Sequence, residues 1–339
     1  MTSKYRLATA AHVVGISLSY QRENLFARGF GLEHLRELLL RLARPLLRNG
    51  ASLAFAGHWR EAEDNFTYDL LRLISAEQED NSLGGPETDL TIGRLYNHSP
   101  WPDYLAVTPH IEAQWINCCR VVRITQEHAA IAPADRVADA DAHAGTDRVR
   151  FNTAVVLSAM RRLAMDGLAL DIPDLPSPEN IPGLSARVLL GGKMQGYTGF
   201  LPGLFEEALV ALERQAPLYV FGGFGGAAEV LARMLLAPAG DRPPELTLDW
   251  HKAGSPNVTK LLELSGSYQL PAGIRSTAQG LDDLFAAIEQ ARPSLAAGLN
   301  TGLDEAQTRE LLTTRDMGRA VKLALEGLSN RFGFVALPG

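Results

Sequence analysis

Two glycine-rich segments, residues 191–207 and 217–228, hold residue types that can bind a phosphate group. Each segment begins in or directly after a short apolar run that predicts a strand, and each leads into a run that predicts a helix. Glycine lets the backbone approach a phosphate closely, and the start of a helix offers free N–H groups and a positive dipole end. Close packing of a strand against a helix is the alternative reason for either glycine cluster.

We predict that these two turns face one crevice and form a single nucleotide-binding pocket. Lys193 directly follows a glycine pair and is a predicted phosphate partner, as is Arg187 in the preceding strand. Tyr197 has two interpretations, because its ring could stack on a base or pack on the turn. The other predicted ligand-binding residues of the two turns are Gly191, Gly192, Gly199, Pro202, Gly203, Gly222, Gly223, Gly225 and Gly226.

A pair of carboxylates, Glu206 and Glu207, stands in the first turn of the helix after Pro202 and Gly203. One interpretation is stabilisation of the helix dipole, worth about 0.3–1 kcal/mol. The other is chemical, because a carboxylate at a strand-end crevice could hydrogen-bond ribose hydroxyls or stabilise an oxocarbenium-like centre during N-glycosidic cleavage. We expect at least one of the two to point into the crevice, favour Glu206 over Glu207 for that position, and treat both as candidate catalytic residues.

The first half of the chain predicts ligand contacts at two further strand ends. A run at residues 12–19 and a run at residues 51–57 are short, apolar and separated by a leucine-rich helix pattern over residues 32–48. Strand–helix–strand is the elementary unit of a parallel sheet, whose ligands bind outside the carboxyl ends of the strands. The residues predicted to contact ligand there are Ser17, Ser19, Arg22 and Gly57.

These elements predict an α/β fold, a Rossmann-like and mostly parallel sheet with helices on both faces plus a C-terminal helical extension. We expect a nucleotide-binding domain over residues 1–240 and a loop and helical extension over residues 241–339, packed on it or on a partner. Residues 79–103 and 237–280 are rich in loop-forming residues and predict surface excursions. Two closing helices are expected, at about 281–291 and 305–328.

The composition and charge of the chain argue against several classes of function. A formal net charge of −7 argues against a nucleic-acid binder, and no apolar run is long enough to span a membrane. The first residues lack the apolar core of a signal peptide, so a cytoplasmic location is expected. Cys118 and Cys119 are adjacent, and neither they nor the scattered histidines have metal-ligand spacing. We therefore expect no metal and no required cofactor besides a nucleotide ligand.

Three stretches resemble the SLOG superfamily, the Rossmann-like group of the Smf/DprA and LOG proteins. Val13–Ser19 is similar to its opening strand, residues 53–57 to its second strand, and residues 199–207 to its P-G-G-x-G-T-x-x-E signature. The chain departs from that signature, since Leu204 and Phe205 replace glycine and threonine positions. The resemblance covers about residues 10–236. It implies phosphate binding at the Pro-Gly turn and a glutamate that cleaves an N-glycosidic bond, with ligand binding carried over better than catalysis.

Two hypotheses follow from the resemblance. The chain looks closer to bacterial SLOG branches proposed to sense nucleotide-derived signals, whose members bind ligands similar to ADP-ribose or NAD. As such a sensor it would report occupancy to a partner protein or within a homo-oligomer. As an enzyme it would be an N-glycosidase or phosphoribohydrolase, with Glu206 or Glu207 as the catalytic carboxylate and Lys193 or Arg22 holding phosphate. A scaffold with a vestigial pocket is the third alternative.

Overall fold

A parallel sheet forms the centre of the molecule. The structure, a computed structural model, describes residues 12–20, 22–83, 94–171 and 177–334. Its strands are β1 (Val13–Ser19), β2 (Ser52–Ala54), β3 (Leu95–Pro100), β4 (Cys119–Ile124), β5 (Leu168–Leu170), β6 (Glu179–Ile181), β7 (Ala186–Gly191) and β8 (Leu218–Phe221). Six of them pair in parallel in the order β4-β3-β2-β1-β7-β8, and β5 and β6 form a separate antiparallel ribbon.

Helices cover both faces of this sheet. They are α1 (Arg22–Phe26), α2 (Leu32–Arg48), α3 (Phe66–Leu83), α4 (Pro109–Gln114), α5 (Asp147–Asp166), α6 (Gly203–Glu213), α7 (Gly226–Leu236), α8 (Leu248–Gly254), α9 (Pro256–Ser265), α10 (Thr277–Ala291), α11 (Leu295–Gly298), α12 (Glu305–Thr313) and α13 (Met317–Phe332). The predicted Rossmann-like α/β class with a C-terminal helical region is confirmed.

The strand alternation sorts side chains into two cores, because successive residues of a strand point to opposite faces. Val13, Ala54 and Leu189 point to one face, where α5, α6, α7 and α10 pack. Val14 and Leu53 point to the other, where α2, α3 and α13 pack. Polar strand residues whose side chains point to the same face as Val13, Ala54 and Leu189 must therefore lie under α5 and α6. The candidate site lies on that face.

The strand order reverses between β1 and β7. From β1 the chain proceeds through β2 and β3 to the edge strand β4, and then returns to place β7 on the other side of β1. The two strands end together, with Ser19 paired to Gly191 at their carboxyl ends. In open α/β sheets a crevice opens at such a reversal, because the connections on its two sides lead away from each other.

The leucine pattern of α2 correctly predicted a buried helical face. Leu35, Leu38 and Leu42 are each 1% exposed. The helix begins after Gly31, and its last turn carries Arg48, a cation that suits a helix C-terminus. The predicted strands at residues 12–19, 51–57, 186–190 and 217–221 are likewise present, although β2 is shorter than expected.

Strand β3 corrects the last part of the surface excursion expected over residues 79–103, of which residues 84–93 lie outside the described residues. Leu95–Pro100 is a buried interior strand between β2 and β4. Its sequence Leu-Tyr-Asn-His-Ser-Pro hid it, since three consecutive polar residues and a proline are unusual in a central strand. These polar side chains are nevertheless buried, because they face hydrogen-bond partners and a cavity rather than an apolar core.

The loop expected at residues 237–280 also needs correction, because α8 and α9 lie within it. Pro256 stands in the first turn of α9, the helical position that tolerates proline, so it separates two helices rather than marking a loop. The single closing helix expected at 305–328 is two helices, and Asp316 caps the second by accepting a hydrogen bond from the amide of Arg319.

The C-terminal helices pack on the sheet. The backbone of Leu218 in β8 donates to the carbonyl of Leu299, and the hydroxyl of Tyr219 donates to the carbonyl of Thr301 at 2.7 Å. Helix α10 packs on α6, and α13 packs on α2. The boundary at residue 240 stays a prediction. In the four described ranges, no helix is both long enough and apolar enough to cross a membrane.

Candidate ligand-binding site

A cavity of about 290 Å³ lies at the reversal between β1 and β7, beneath α5 and α6, and we call it the floor chamber. Its polar lining includes Ser17, His98, Arg187 and Glu207. The side chain of Ser17 points to the same face of the sheet as that of Val13, and Arg187 to the same face as Leu189. Both therefore face α5 and α6. Each of these four residues is at most 7% exposed, which makes the floor chamber a buried polar site.

A second cavity of about 660 Å³ adjoins the floor chamber, and we call it the outer chamber. It lies beyond the ends of β2 and β3 and is lined in part by Gly57, Trp59 and Asp103. Ser19 and Lys193 line both chambers. Small-molecule sites commonly measure about 300–1,000 Å³, so the adjoining chambers have the size of a ligand site.

Arg187 and Glu207 form a buried ion pair on the floor. One guanidinium nitrogen of Arg187, Nη1, lies 3.3 Å from Oε1 of Glu207 and donates to the hydroxyl of Ser17 at 2.8 Å. Burial lowers the pKa of Arg187, although the charge of Glu207 opposes that effect. The other carboxylate oxygen of Glu207, Oε2, has no hydrogen-bond partner among the described residues. Arg187, a predicted phosphate partner, is therefore already engaged by a carboxylate.

A second buried ion pair joins Arg161 of α5 to Glu206 of α6. The guanidinium of Arg161 lies against Gly203, where a Cβ would stand 3.2 Å from Nη2, and equally close to Gly199. Glycine at these positions therefore leaves room for Arg161. Glu206 lines neither chamber, so of the two candidate catalytic carboxylates it is Glu207 that faces the cavity.

His98 is a floor residue that the sequence analysis did not select. Its ring nitrogen Nε2 has no hydrogen-bond partner in the part of the chain that the structure describes, and the side chain is 3% exposed. Burial and the charge of Arg187 lower the pKa of His98 to about 4, so the ring is neutral at pH 7. The sequence does contain an indication of this site, because Asn97, His98 and Ser99 are consecutive polar residues between apolar neighbours. Arg161 was visible only as part of a basic pair on a helix.

Asn97 organises the outer chamber and was also missed. Its amide nitrogen donates to the carbonyls of Phe55 and Gly57, at 3.0 Å each, and its oxygen accepts from the indole of Trp59 at 2.9 Å. The loop after β2 is thereby tied to β3. Gly57 needs to be glycine, because a Cβ there would lie 2.2 Å from the hydroxyl of Thr67.

Lys193 stands at the junction of the two chambers with its side chain exposed. Among the residues that the structure describes, no carboxylate forms an ion pair with it. The preceding glycines make this position possible, since Gly191 and Gly192 have φ of +67° and +97°, values that favour glycine. The amide of Gly192 donates to the carbonyl of Ser19, which joins the turn to the end of β1.

The turn after Lys193 is anchored on α8 and α9. The hydroxyl of Tyr197 lies 2.9 Å from Nδ1 of His251, whose Nε2 lies 2.9 Å from the carbonyl of Glu245. Since a carbonyl only accepts, Nε2 donates to it and Nδ1 accepts from Tyr197. Ser255 adds a hydrogen bond from the amide of Gly196 at 3.0 Å. Tyr197 thus packs on the turn and also lines the floor chamber.

We expect Tyr197→Phe to lower the free energy of unfolding by about 1–3 kcal/mol, because Nδ1 of the buried His251 would lose its donor. Urea unfolding of the variant and of the parent measures the difference. Tyr104→Phe is the control, since Tyr104 is only partly buried. Equal stability of the two variants would contradict the anchoring role of the Tyr197 hydroxyl.

The second glycine-rich turn lies elsewhere. A Cβ on Gly222 would stand 2.3 Å from the carbonyl oxygen of Leu312, and one on Gly223 would stand 1.9 Å from that of Thr314, so these glycines admit the C-terminal helices. Arg22 and Gly226 line a separate groove. Neither chamber lining includes Arg22, Gly222, Gly223, Gly225 or Gly226.

The two turns nevertheless touch each other. The amide of Ala227 donates to the carbonyl of Gly192, and Gly226, at φ +67°, lies against the backbone of Gly191 and Gly192. The structure therefore places the second turn behind the first, as its support. Of the remaining predicted residues, Ser17, Ser19, Lys193, Gly199 and Gly203 line the floor chamber, and Pro202 precedes the first residue of α6. Ligand contacts at all these positions stay predictions.

The chamber walls carry no metal constellation. In the described part of the chain, no three His, Cys, Asp or Glu side chains are arranged to hold a metal ion. Cys118 and Cys119 are free and buried, and burial raises the pKa of Cys119 to about 12.

Comparison with known proteins identifies the family. The model of the SLOG cluster2 family matches residues 8–172 and 179–311, which extends past residue 236, where the expected resemblance ended. No curated protein matches the chain. The matched residues include all eight strands that the structure describes. The chain belongs to the SLOG cluster2 family.

Proposed function

We propose that this protein binds a nucleotide-derived ligand, of the ADP-ribose, NAD or nucleotide class, in the adjoining floor and outer chambers. The observation that carries the proposal is the buried polar floor at the reversal between β1 and β7, where Arg187, Glu207 and Ser17 meet under α6. Ligands of α/β sheets bind at this position. The family membership supports a nucleotide-related role.

Charge and shape support the same ligand class. Lys193 is exposed between the chambers and offers an ammonium group to a phosphate. Glu207 offers a carboxylate oxygen with no partner to a sugar hydroxyl. The outer chamber has aromatic residues in its wall, among them Phe55 and Trp59, which suit a base. One ligand with phosphate, sugar and base would use all three features.

The proposed role of this binding is sensing, in the cytoplasm, as part of bacterial defence or stress signalling. Occupancy would be reported to a partner protein or within a homo-oligomer. The turn that lines the floor chamber supports such coupling, because Tyr197 is hydrogen-bonded to His251 of α8, and Gly196 to Ser255, which joins α8 to α9. A ligand that moves this turn would therefore move α8 and α9 with it.

A second candidate function is cleavage of an N-glycosidic bond, and the unpartnered Oε2 of Glu207 favours it. As the bond between the sugar and the base breaks, positive charge develops on the sugar carbon, and a carboxylate beside it stabilises that charge. Water then adds to the sugar carbon, and its proton leaves with the departing base. Glu206 is less suited to this role, because it lines neither chamber and its carboxylate is paired with Arg161.

Binding and turnover can be separated with one panel of compounds. Purified protein is mixed with NAD, ADP-ribose and AMP, affinity is measured by calorimetry, and release of the base is followed by chromatography. We expect binding without release. In Glu207→Gln we expect affinity to fall about 10- to 100-fold, because a hydrogen bond to a charged group is worth about 1.5–3 kcal/mol.

The matched control is Glu263→Gln, since Glu263 is an exposed glutamate on α9. It should bind as the parent does. Release of base by the parent that disappears in Glu207→Gln would establish the enzyme instead of the sensor. No binding of any compound in the panel would contradict both functions.

A further inference from the structure

Two hydrogen-bond acceptors on the floor chamber have no partner in the described structure. They are Nε2 of His98 and Oε2 of Glu207. The two residues are 3% and 7% exposed, and both line the chamber. A buried polar atom without a partner destabilises a folded protein, so its retention at a cavity wall points to a group that binds there.

The state of the His98 ring decides what it can accept. The backbone of Tyr96 acts to raise the pKa of His98 against the effect of burial, as a carbonyl that accepts from a ring N–H does, and since Nε2 lacks a partner in the described structure we assign that N–H to Nδ1. Nε2 is left with a free lone pair, because a neutral imidazole has one donor and one acceptor. The Glu207 carboxylate, paired with Arg187, also offers only an acceptor to the chamber.

The buried charges around these acceptors balance, and Lys193, the further cation of the lining, has its side chain exposed at the junction of the chambers. Arg161 and Arg187 face Glu206 and Glu207 in two buried ion pairs, and His98 is neutral at pH 7. Nε2 of His98 and Oε2 of Glu207 need hydrogen-bond donors. A phosphate would instead place further acceptors and negative charge against them. A hydroxyl fits better, because it donates one hydrogen and also accepts, and the Nε atoms of Arg161 and Arg187 are donors that lack partners too.

We infer that the floor chamber takes an uncharged sugar bearing two hydroxyls, that His98 and Glu207 accept their hydrogens, and that His98 is a specificity-determining residue. The inference rests on the proposed nucleotide-binding function and orients its ligand. The sugar enters the floor, and the phosphate stays at Lys193, where the two chambers adjoin and a cation is exposed.

The test compares AMP with 2′,3′-dideoxy-AMP, which lacks both sugar hydroxyls, for the parent, His98→Leu and His98→Gln at pH 7. We expect the parent to prefer AMP at least about tenfold, and His98→Leu to reduce that preference to about threefold or less, because each hydrogen bond contributes a several-fold factor. His98→Gln should restore part of the preference, since its amide oxygen can accept. His110→Leu, at an exposed histidine, is the control.

A structural role for His98 would show differently. His98→Leu removes the buried Nε2 that has no partner together with the ring N–H that interacts with the Tyr96 backbone, so the two effects oppose each other and the melting temperature of the free protein should change little. A fall in melting temperature together with an unchanged preference for AMP would overturn the inference. So would a parent that binds both nucleotides equally, an outcome that leaves the proposed function standing.

Failure of the proposed function is distinguishable from failure of this inference. If the parent binds no nucleotide, the proposed function is wrong, and the floor is then probed with D-ribose and 2-deoxy-D-ribose by thermal shift. A response to D-ribose that exceeds that to the deoxy sugar, and that His98→Leu removes, would still support the floor assignment. No response, or equal responses, would overturn it.

Discussion

Arg187→Met is expected to lower the free energy of unfolding by about 3–5 kcal/mol, because it leaves the buried carboxylate of Glu207 without its cation. Arg187 is 5% exposed and Glu207 is 7% exposed, so the carboxylate would stay largely shielded from bulk solvent with its cation gone. The same change removes the hydrogen bond to Ser17. Urea unfolding at pH 7, followed by circular dichroism, measures the loss.

Two variants serve as controls for this prediction. In the double variant Arg187→Met, Glu207→Leu, both charges are gone, and we expect most of the stability to return, since apolar residues of similar volume often replace a buried ion pair at no cost. Arg41→Met breaks an exposed pair with Glu37 and should change stability by no more than about 1 kcal/mol. A cost for Arg187→Met as small as that for Arg41→Met would show that the buried pair contributes nothing.

The pair also explains how stability and binding are linked in this site. An ion pair fixed in the apo protein holds Oε1 of Glu207, and it leaves Oε2 free for a ligand. A ligand that donates to Oε2 therefore meets a group already held in place, and less conformational freedom is lost on binding. The double variant separates the two roles, because it should fold well and bind poorly.

Regular apolar patterns made most of the fold predictable. The leucines of α2 recur at helical spacing, and β1 is a compact apolar run, so both could be located from their own residues. Strand β3 could not, because Asn97, His98 and Ser99 break the apolar run. Their burial depends on partners far away in the chain, such as Trp59, which no local pattern encodes.

The turn over residues 191–207 could be predicted from the sequence, whereas the floor of the chamber could not. Residues 191–207 carry glycines and a Pro-Gly pair whose local geometry requires those residue types, so the segment was found. The floor assembles Ser17, Arg161 and Glu207 from β1, α5 and α6, and their meeting follows only from the strand order. Arg187 was predicted to bind phosphate because its charge is evident from the sequence. Its pairing with Glu207 is not evident there, because the two residues are brought together only by the fold.

The glycines at 222–226 show the limit of composition as a guide. A glycine can leave room for a phosphate or for another segment of backbone, because it lacks a Cβ in either case. The sequence alone does not distinguish the two roles. Gly223 lies against the carbonyl of Thr314, whereas Gly226 lies against the backbone of Gly191 and Gly192. The distinction between support and ligand contact can be made by experiment, because the two roles affect different quantities.

Gly226→Ala is expected to destabilise the protein by about 2–4 kcal/mol, and Gly240→Ala by only about 1–2 kcal/mol. Both glycines have positive φ, of +67° and +80°, so alanine is strained at either position. Only at Gly226 would the new Cβ meet backbone, 2.5 Å from the carbonyl oxygen of Gly192, while at Gly240 nothing lies within 4 Å. The difference in unfolding free energy between the two variants therefore isolates the contact between the turns.

The same pair of variants tests which role Gly226 has. If it supports the first turn, the displaced backbone of Gly191 and Gly192 should shift Lys193 and weaken nucleotide binding together with stability. If it contacts ligand directly, Gly226→Ala should match Gly240→Ala in stability and differ in affinity alone. Because the groove beside Gly226 is separate from both chambers, we expect the first result, with stability and affinity falling together.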